Sequence, residues 1–362
     1  MAISQFNIIS GGDYNTYVTG AADGTYDASV PNAGIIWGDG QGRFGYGQNI
    51  APIAPVNQGS TPDTVTPDEW NALDGILYSI RNHQGASYSL LPTGTIQSGN
   101  LIVASVLQGF APQIVSAYND VGKCEVNVDG TINISQNSAQ WGIDDGVNSK
   151  KTLKLIHRIK FGNPDVARYF FNAGGKLKLN FTHIPELASP IDLFWRDMCE
   201  AAGVIEIGYQ NTVKFNQPGL HPDPTYDYYG DKDTVLNEDN GGYWAHATLP
   251  EGQLLQHYRQ NNIEKYGYGY GYEYNYYGYD GYRADDYMTV EMSVSGKDGK
   301  TGNIGDTITV VTSFINPTAS LTVNDIIRGT TSSRLIMSEP AVGYLSIPSW
   351  DDYTVESDIA WA

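Results

Sequence analysis

Apolar and polar positions alternate with clear periods in only part of the chain, and those parts predict the elements. The strongest helical period lies in "VTPDEWNALDGILYSIRNHQG", where Trp70, Leu73, Ile76, Leu77 and Ile80 fall on one face. Its ends agree with that reading. Thr66 stands as N-cap, Pro67 at N1 and Glu69 at N3 in a capping box, while Arg81 and His83 suit the negative end of the helix dipole and Gly85 stops the helix. Burying such a face is worth about 1.5–3 kcal/mol per large side chain, so it must find a partner. The next apolar stretch, "NLIVASVLQGFAPQIVSAYN", reads as a helix kinked near Pro112, with a buried strand followed by a helix as the alternative.

From residue 150 the period changes to two. In "TLKLIHRIKF", Leu153, Leu155, Ile159 and Phe161 share one side and Lys154, Arg158 and Lys160 the other, as a half-buried strand requires. "NPDVARYFFNAGG" follows as a short helix capped by Asn163, with Pro164 at N1 and Gly174 as its stop. "KLKLNFTHI" gives a second strand, with Leu177, Leu179 and Phe181 opposite Lys176, Lys178 and Asn180. "SPIDLFWRDMCEAAG" repeats the cap logic through Ser189, Pro190 and Asp192, and "VIEIGY" is a third strand. This β-α-β-α-β run is the best-defined core in the sequence.

Elsewhere the pattern is weaker. Residues 1–65, rich in Gly, Asp, Pro and Thr from residue 11 onward, read as an extended arm with turns. Residues 66–120 form a helical segment and 121–210 an α+β core, the latter opening with short strands and turns at "VDGT" and "DDGVNS". Residues 211–287 form an acidic, Tyr/Gly-rich insertion without strong periodicity. Residues 288–362 form a C-terminal β segment with strands at "MTVEMSV", "DTITVVTSF" and "SRLIM". The expected fold is α+β and β-rich, with the central β-α-β-α-β core, the N-terminal arm and a C-terminal β layer.

Inside the insertion, "YGYGYGYEYNYYGYDGY" places Tyr266, Tyr268, Tyr270, Tyr272, Tyr274 and Tyr276 on one face of an extended chain, and Tyr277 and Tyr279 reverse the register. Tyrosine offers large, rigid contact area with a polar tip, whereas glycine-rich strand is unfavourable unless another backbone comes close. The two readings are a solvent-exposed loop and a contact with a neighbouring subunit or a host receptor.

Composition narrows the function classes. The net charge of −19 and pI near 4.5 argue against nucleic-acid binding and against anionic membrane surfaces. No apolar run is long enough for a membrane span, and "MAISQFNIISGGDYN" has no signal-peptide pattern, so synthesis in a cytoplasm is expected. Cys124 and Cys199 lack metal-ligand spacing and read as free thiols. The histidines at 83, 157, 183, 221, 246 and 257 form no metal motif, and no nucleotide loop or nucleophile elbow is present, so no catalytic residue, metal or cofactor is expected. The carboxylates Asp223, Asp227, Asp231, Asp233, Glu238 and Asp239 read as a solvated acidic loop, with incidental calcium binding or glycoside hydrolysis as alternatives. Against this acidic background, residues 150–180 hold Lys150, Lys151, Lys154, Arg158, Lys160, Arg168, Lys176 and Lys178 with Asp165 alone, a local +7. Lining up like charges on adjacent strands is costly, so this basic face is either an exposed sheet surface or a contact for acidic loops 223–239 of another copy.

The ordered set "GRFGYGQ", "VTPDEWNALDGILYSIRNHQG", "DVARYFFNAGGKLKLNF" and "LTVNDIIRGTTSSRLI" resembles a family of virion structural proteins of tailed bacteriophages, of the marine and cyanobacterial type. The resemblance covers roughly residues 37–215 and 300–340. It implies a tail, neck or fibre component without catalytic activity, assembled in the host cytoplasm with copies of itself and other virion proteins. It carries over no functional residue, because Trp70, Leu73, Tyr169, Phe170, Phe171, Gly174 and Gly175 read as packing and turn positions. Alternatives are a receptor- or glycan-binding module using the tyrosine run, a capsid-decorating protein and a polysaccharide depolymerase.

Overall fold

The computed structural model describes residues 10–59, 63–89, 96–97, 107–147, 149–209, 212–215, 232–233, 253–259, 286–295, 305–316, 326–345 and 350–362. The fold is α+β and rich in antiparallel sheet. The described helices are α1 (Gly11–Thr19), α2 (Ala33–Trp37), α3 (Pro67–His83), α4 (Phe110–Asn119), α5 (Pro164–Asn172) and α6 (Pro190–Ala202). The strands are β1 (Asn127–Asn137), β2 (Ile143–Asp144), β3 (Ser149–Lys150), β4 (Thr152–Phe161), β5 (Lys176–Pro185), β6 (Val204–Ile207), β7 (Thr212–Phe215), β8 (Lys232–Asp233), β9 (Gln253–Arg259), β10 (Tyr287–Ser295), β11 (Thr307–Ile315), β12 (Gly329–Pro340) and β13 (Tyr353–Trp361).

α3 forms as its sequence dictates. Thr66 and Glu69 make the reciprocal capping box, Pro67 sits in the first turn, and Gly85 follows the helix at φ +77°. The expected partner for its apolar face lies in the same chain. Trp70 packs edge-on against Tyr14 of α1, with ring centroids 5.1 Å apart, and stacks on Phe110 of α4 at 5.9 Å. Leu107 and Gln108 are helical as well and Gly109 interrupts the run, so the helix breaks near Pro112 as expected; Pro112 itself stands in the first turn of α4, where its missing N–H is not needed.

The extended N-terminal arm is corrected. Residues 11–56 contribute two helices and a 3-10 turn, and Tyr14, Val18, Ile36, Tyr46 and Ile53 are fully buried. Gly11, Gly12 and Thr16 make α1 a poor helix by propensity, so it depends on burial and on a Ser10/Asp13 capping box. Asn32 caps α2 by accepting from the Ile35 N–H at 2.8 Å.

The β-α-β-α-β run contains its five expected elements, but they do not form one sheet. β4 belongs to a six-stranded sheet of order β13-β4-β11-β10-β9-β8, whereas β5 and β6 belong to a five-stranded sheet of order β1-β12-β5-β6-β7. Every pairing is antiparallel, β5 with β6 included. A parallel β-α-β unit needs a crossover long enough to return along the sheet; α5, of nine residues, instead carries the chain from one sheet to the other. The C-terminal strands also divide, β10, β11 and β13 joining one sheet and β12 the other, and β13 lies beyond the three strands expected there.

Two turn expectations separate. "DDGVNS" does form a hairpin tip between β2 and β3. "VDGT" does not turn: it is a bulge within β1, where the register slips between Asp129 and Ile132. A Cβ at Gly130 would fall against Glu339 Oε1, so a side chain there would displace that carboxylate. Part of the segment expected to be loop-like is strand, since β7, β8 and β9 fall within 211–287.

The core lies between the inner faces of the two sheets. Leu153, Leu155, Ile159 and Phe161 line β4, and Leu177, Leu179 and Phe181 line β5. α6 lies on β5, and its Trp195 reaches Phe314 of β11 at 5.8 Å and Trp141 at 5.1 Å. At the other margin β1 and β12 meet β4 and β13 directly.

Candidate functional site

The residues expected to form an interface do not form one surface. Lys154, Arg158 and Lys160 lie on the outer side of β4, whereas Lys176 and Lys178 lie on the outer side of β5 in the other sheet. Most of the basic run is neutralised within the chain. Lys151 pairs with Asp144 at 2.5 Å, Arg158 with Asp358 at 3.5 Å, Lys176 with Glu206 at 3.2 Å and Lys178 with Asp129 at 3.0 Å. Arg168 is buried with Asp165, and Lys150 lies over the Trp361 ring. Among the described residues Lys154 and Lys160 make no ion pair. The single basic face is therefore corrected to a short outward-facing stretch of β4. Tyr266, Tyr268, Tyr270, Tyr272, Tyr274 and Tyr276 lie outside the described residues, as does most of the acidic stretch 223–239.

Three of the four distinctive sequence stretches converge on one buried joint between α3 and α5. From "RNHQG", His83 Nε2–H donates to Ala173 O at 2.8 Å and Gln84 Nε2 donates to the Tyr46 hydroxyl at 2.9 Å and to Ala117 O at 2.8 Å. From "ARYFFN", Asn172 Nδ2 donates to Gly45 O at 2.8 Å, and the Arg168 guanidinium reaches Asp39 O at 2.5 Å, Gly42 O at 3.2 Å and Asp165 at 2.9 Å. The "GRFGYGQ" stretch supplies Gly42, Gly45 and Tyr46 as their acceptors. The Tyr46 ring packs edge-on against His83 at 5.7 Å. Burial holds the His83 ring below its ordinary value and pushes the Tyr46 hydroxyl above its own, so both stay neutral near pH 7. Gly174, at φ +93°, closes the joint where a Cβ would strike Cys124, whose thiol burial pushes up to about 11.

The fourth stretch, "LTVNDIIRGTTSSRLI", supplies β12 to a polar seam between the sheets. His157, fully buried on β4, places Nδ1 2.9 Å from Asn133 Oδ1 of β1 and Nε2 3.1 Å from Ser333 Oγ of β12. The amide oxygen assigns the ring proton to Nδ1 and leaves Nε2 to accept from the serine. Nearby, Ser135 Oγ donates to Asp358 O at 2.8 Å and Ser357 Oγ to Ile134 O at 3.2 Å. Two residues back along β12, Thr331 bonds His183 Nδ1 at 2.9 Å, and the other His183 nitrogen lies 3.7 Å from Asp192 at the start of α6. Asp192 accepts from Ser189 at 2.5 Å and from the Arg328 N–H at 2.7 Å. Desolvation pushes His157 down to about 4.

Sequence reasoning missed this seam. Its signal was that His157 and His183 share strand parity with Leu153, Leu155, Leu179 and Phe181, which puts them on the buried side. Among the described residues no group of His, Cys, Asp or Glu side chains is arranged to hold a metal, both cysteines are free, and no helix is long and apolar enough to cross a membrane. No family model, curated protein or solved structure matches the chain.

Proposed function

We propose that the chain is a structural subunit of a tailed-phage virion, in the tail, neck or fibre, that works by protein–protein contact and catalyses no reaction. The observation that carries this reading is the joint: three of the four separate stretches behind the family resemblance meet there, and their polar side chains bond backbone and one another inside the fold. A chemical site would instead hold such groups at a cleft with free valences. On this reading the distinctive residues hold a frame, and the contacts between subunits are made by outer surface such as the half-buried Lys154 and exposed Lys160 on β4, which suits an acidic segment of a neighbour.

Gradient-purified particles test the proposal. The chain should remain with intact particles through high-salt washing, in a fixed multiple of copies. Recovery only in the soluble lysate would overturn it, and particles that carry the chain but lose host adsorption alone when the even-numbered tyrosines 266–276 become serine would favour the receptor-binding alternative.

A further inference from the structure

Where β1 and β12 cross β4 and β13, the sandwich is held by directed hydrogen bonds rather than apolar packing. The positions facing each other there are Asn133 and Ser135 of β1, Thr331 and Ser333 of β12, His157 of β4 and, at the exposed edge, Ser357 of β13. The neighbouring inward positions Leu335 and Met337 are aliphatic and fully buried. His157 is the one group in this patch that can acquire charge near neutral pH, and it touches both strands of the opposing sheet at once.

We propose that His157 is the latch of an acid-sensitive seam: protonation of its ring frees β1 and β12 from β4 and β13 while the helical layer stays folded. The charge would arise at Nε2, which now accepts from Ser333. The serine can turn its hydroxyl to accept instead, so the hydrogen bond survives, but among the described residues no carboxylate faces the cation. Around it, Arg158 and Lys160 of β4, Glu356 and Asp358 of β13, Arg334 of β12 and Asp129 of β1 point to the outer faces. Val310 of β11 is its apolar cross-strand neighbour. Glu339 and Tyr353 lie at the far end of the seam and bond each other. His183 sits beyond Thr331. Opening the seam admits water and lets the ring charge, so the cost of desolvation becomes a driving force for separation.

Amide hydrogen exchange on the full chain tests this. With the ring near 6.5 when opened and about 4 when closed, opening at pH 5 is favoured roughly 20-fold over pH 7. Protection factors in β1, β12 and β13 should fall by about that factor between pH 7 and pH 5, while those of α1 hold. His157→Gln should abolish the fall and His83→Gln should leave it. Equal loss of protection in α1, no loss in the three strands, or a fall that persists in His157→Gln would each overturn the proposal. If the glutamine variant does not fold, NMR titration of His157 in the unaltered protein decides: a value near 4 supports the latch, and one of 6 or above refutes it. The inference stands apart from the virion assignment.

Discussion

The α3–α5 joint and the seam between the sheets are both made of buried polar side chains, yet they hold differently. In the joint, amide, imidazole and guanidinium donors end on backbone carbonyls, and the aromatic rings of Tyr46, Phe170 and Phe171 lie alongside. In the seam, neutral side chains mostly meet one another, across strands that share no ladder. The amide and guanidinium donors of the joint keep one protonation state across the acid range, and the His83 Nε2–H bond to Ala173 O persists when the ring is charged, whereas the His157 imidazole accepts from a hydroxyl and makes that bond only while neutral. The seam should yield to acid first, and the joint, through His83, to a smaller degree.

Breaking the joint should have the largest effect. Arg168→Met removes the guanidinium from Asp39 O, Gly42 O and Asp165 and should cost about 3–5 kcal/mol, read as a lower denaturant midpoint at unchanged slope. The seam gives the next largest. Because the folded His157 ring titrates below its unfolded value, its neutral form stabilises the fold fully above about pH 6.5, and that contribution disappears as pH falls toward 4. The loss should be on the order of 3 kcal/mol in denaturation curves across that window. His83 shifts in the same direction and adds to it, whereas Asp120 and Asp144, held below the usual carboxylate range, act only below about pH 4.

Two smaller changes sharpen the comparison. Thr66→Ala removes the cap at the end of α3 remote from the joint and should cost about 1 kcal/mol in thermal unfolding, with no change in acid sensitivity. Reversing Lys154 and Lys160 to glutamate should alter the stability of the isolated chain by less than about 0.5 kcal/mol. The same change should weaken its self-association in sedimentation, as raised salt should; association unaffected by either would remove the basic stretch of β4 from the assembly reading.

Much of the frame was legible because its signals are local. The caps at Thr66, Asn163 and Ser189 and the alternation in β4 and β5 all correspond to the elements observed. α1 was not legible, since its glycines argue for a turn, and the burial of Tyr14 and Val18 is needed beside its Ser10/Asp13 capping box to make it a helix. Sheet membership was hidden as well, because β4 and β5 have the same periodicity whichever strands they pair with. That also broke up the basic face: charges adjacent in sequence were separated once α5 carried the chain between sheets. The seam escaped because alternation treats every polar residue as outward, and Asn133, Ser333 and His157 find partners only in three dimensions.

The central claim is that three of the four distinctive sequence stretches build a rigid joint, while the sheet seam, to which the fourth contributes β12, is the part that yields. Hydrogen exchange at neutral pH measures it directly, on Gly122, Glu125 and Gly175, whose N–H groups bond carbonyls within the joint, against the seam strands β1 and β13. The account predicts that the joint amides exchange only through global unfolding and that those of β1 and β13 exchange at least about 10-fold faster. Seam amides as protected as the joint, or joint amides exchanging first, would contradict it.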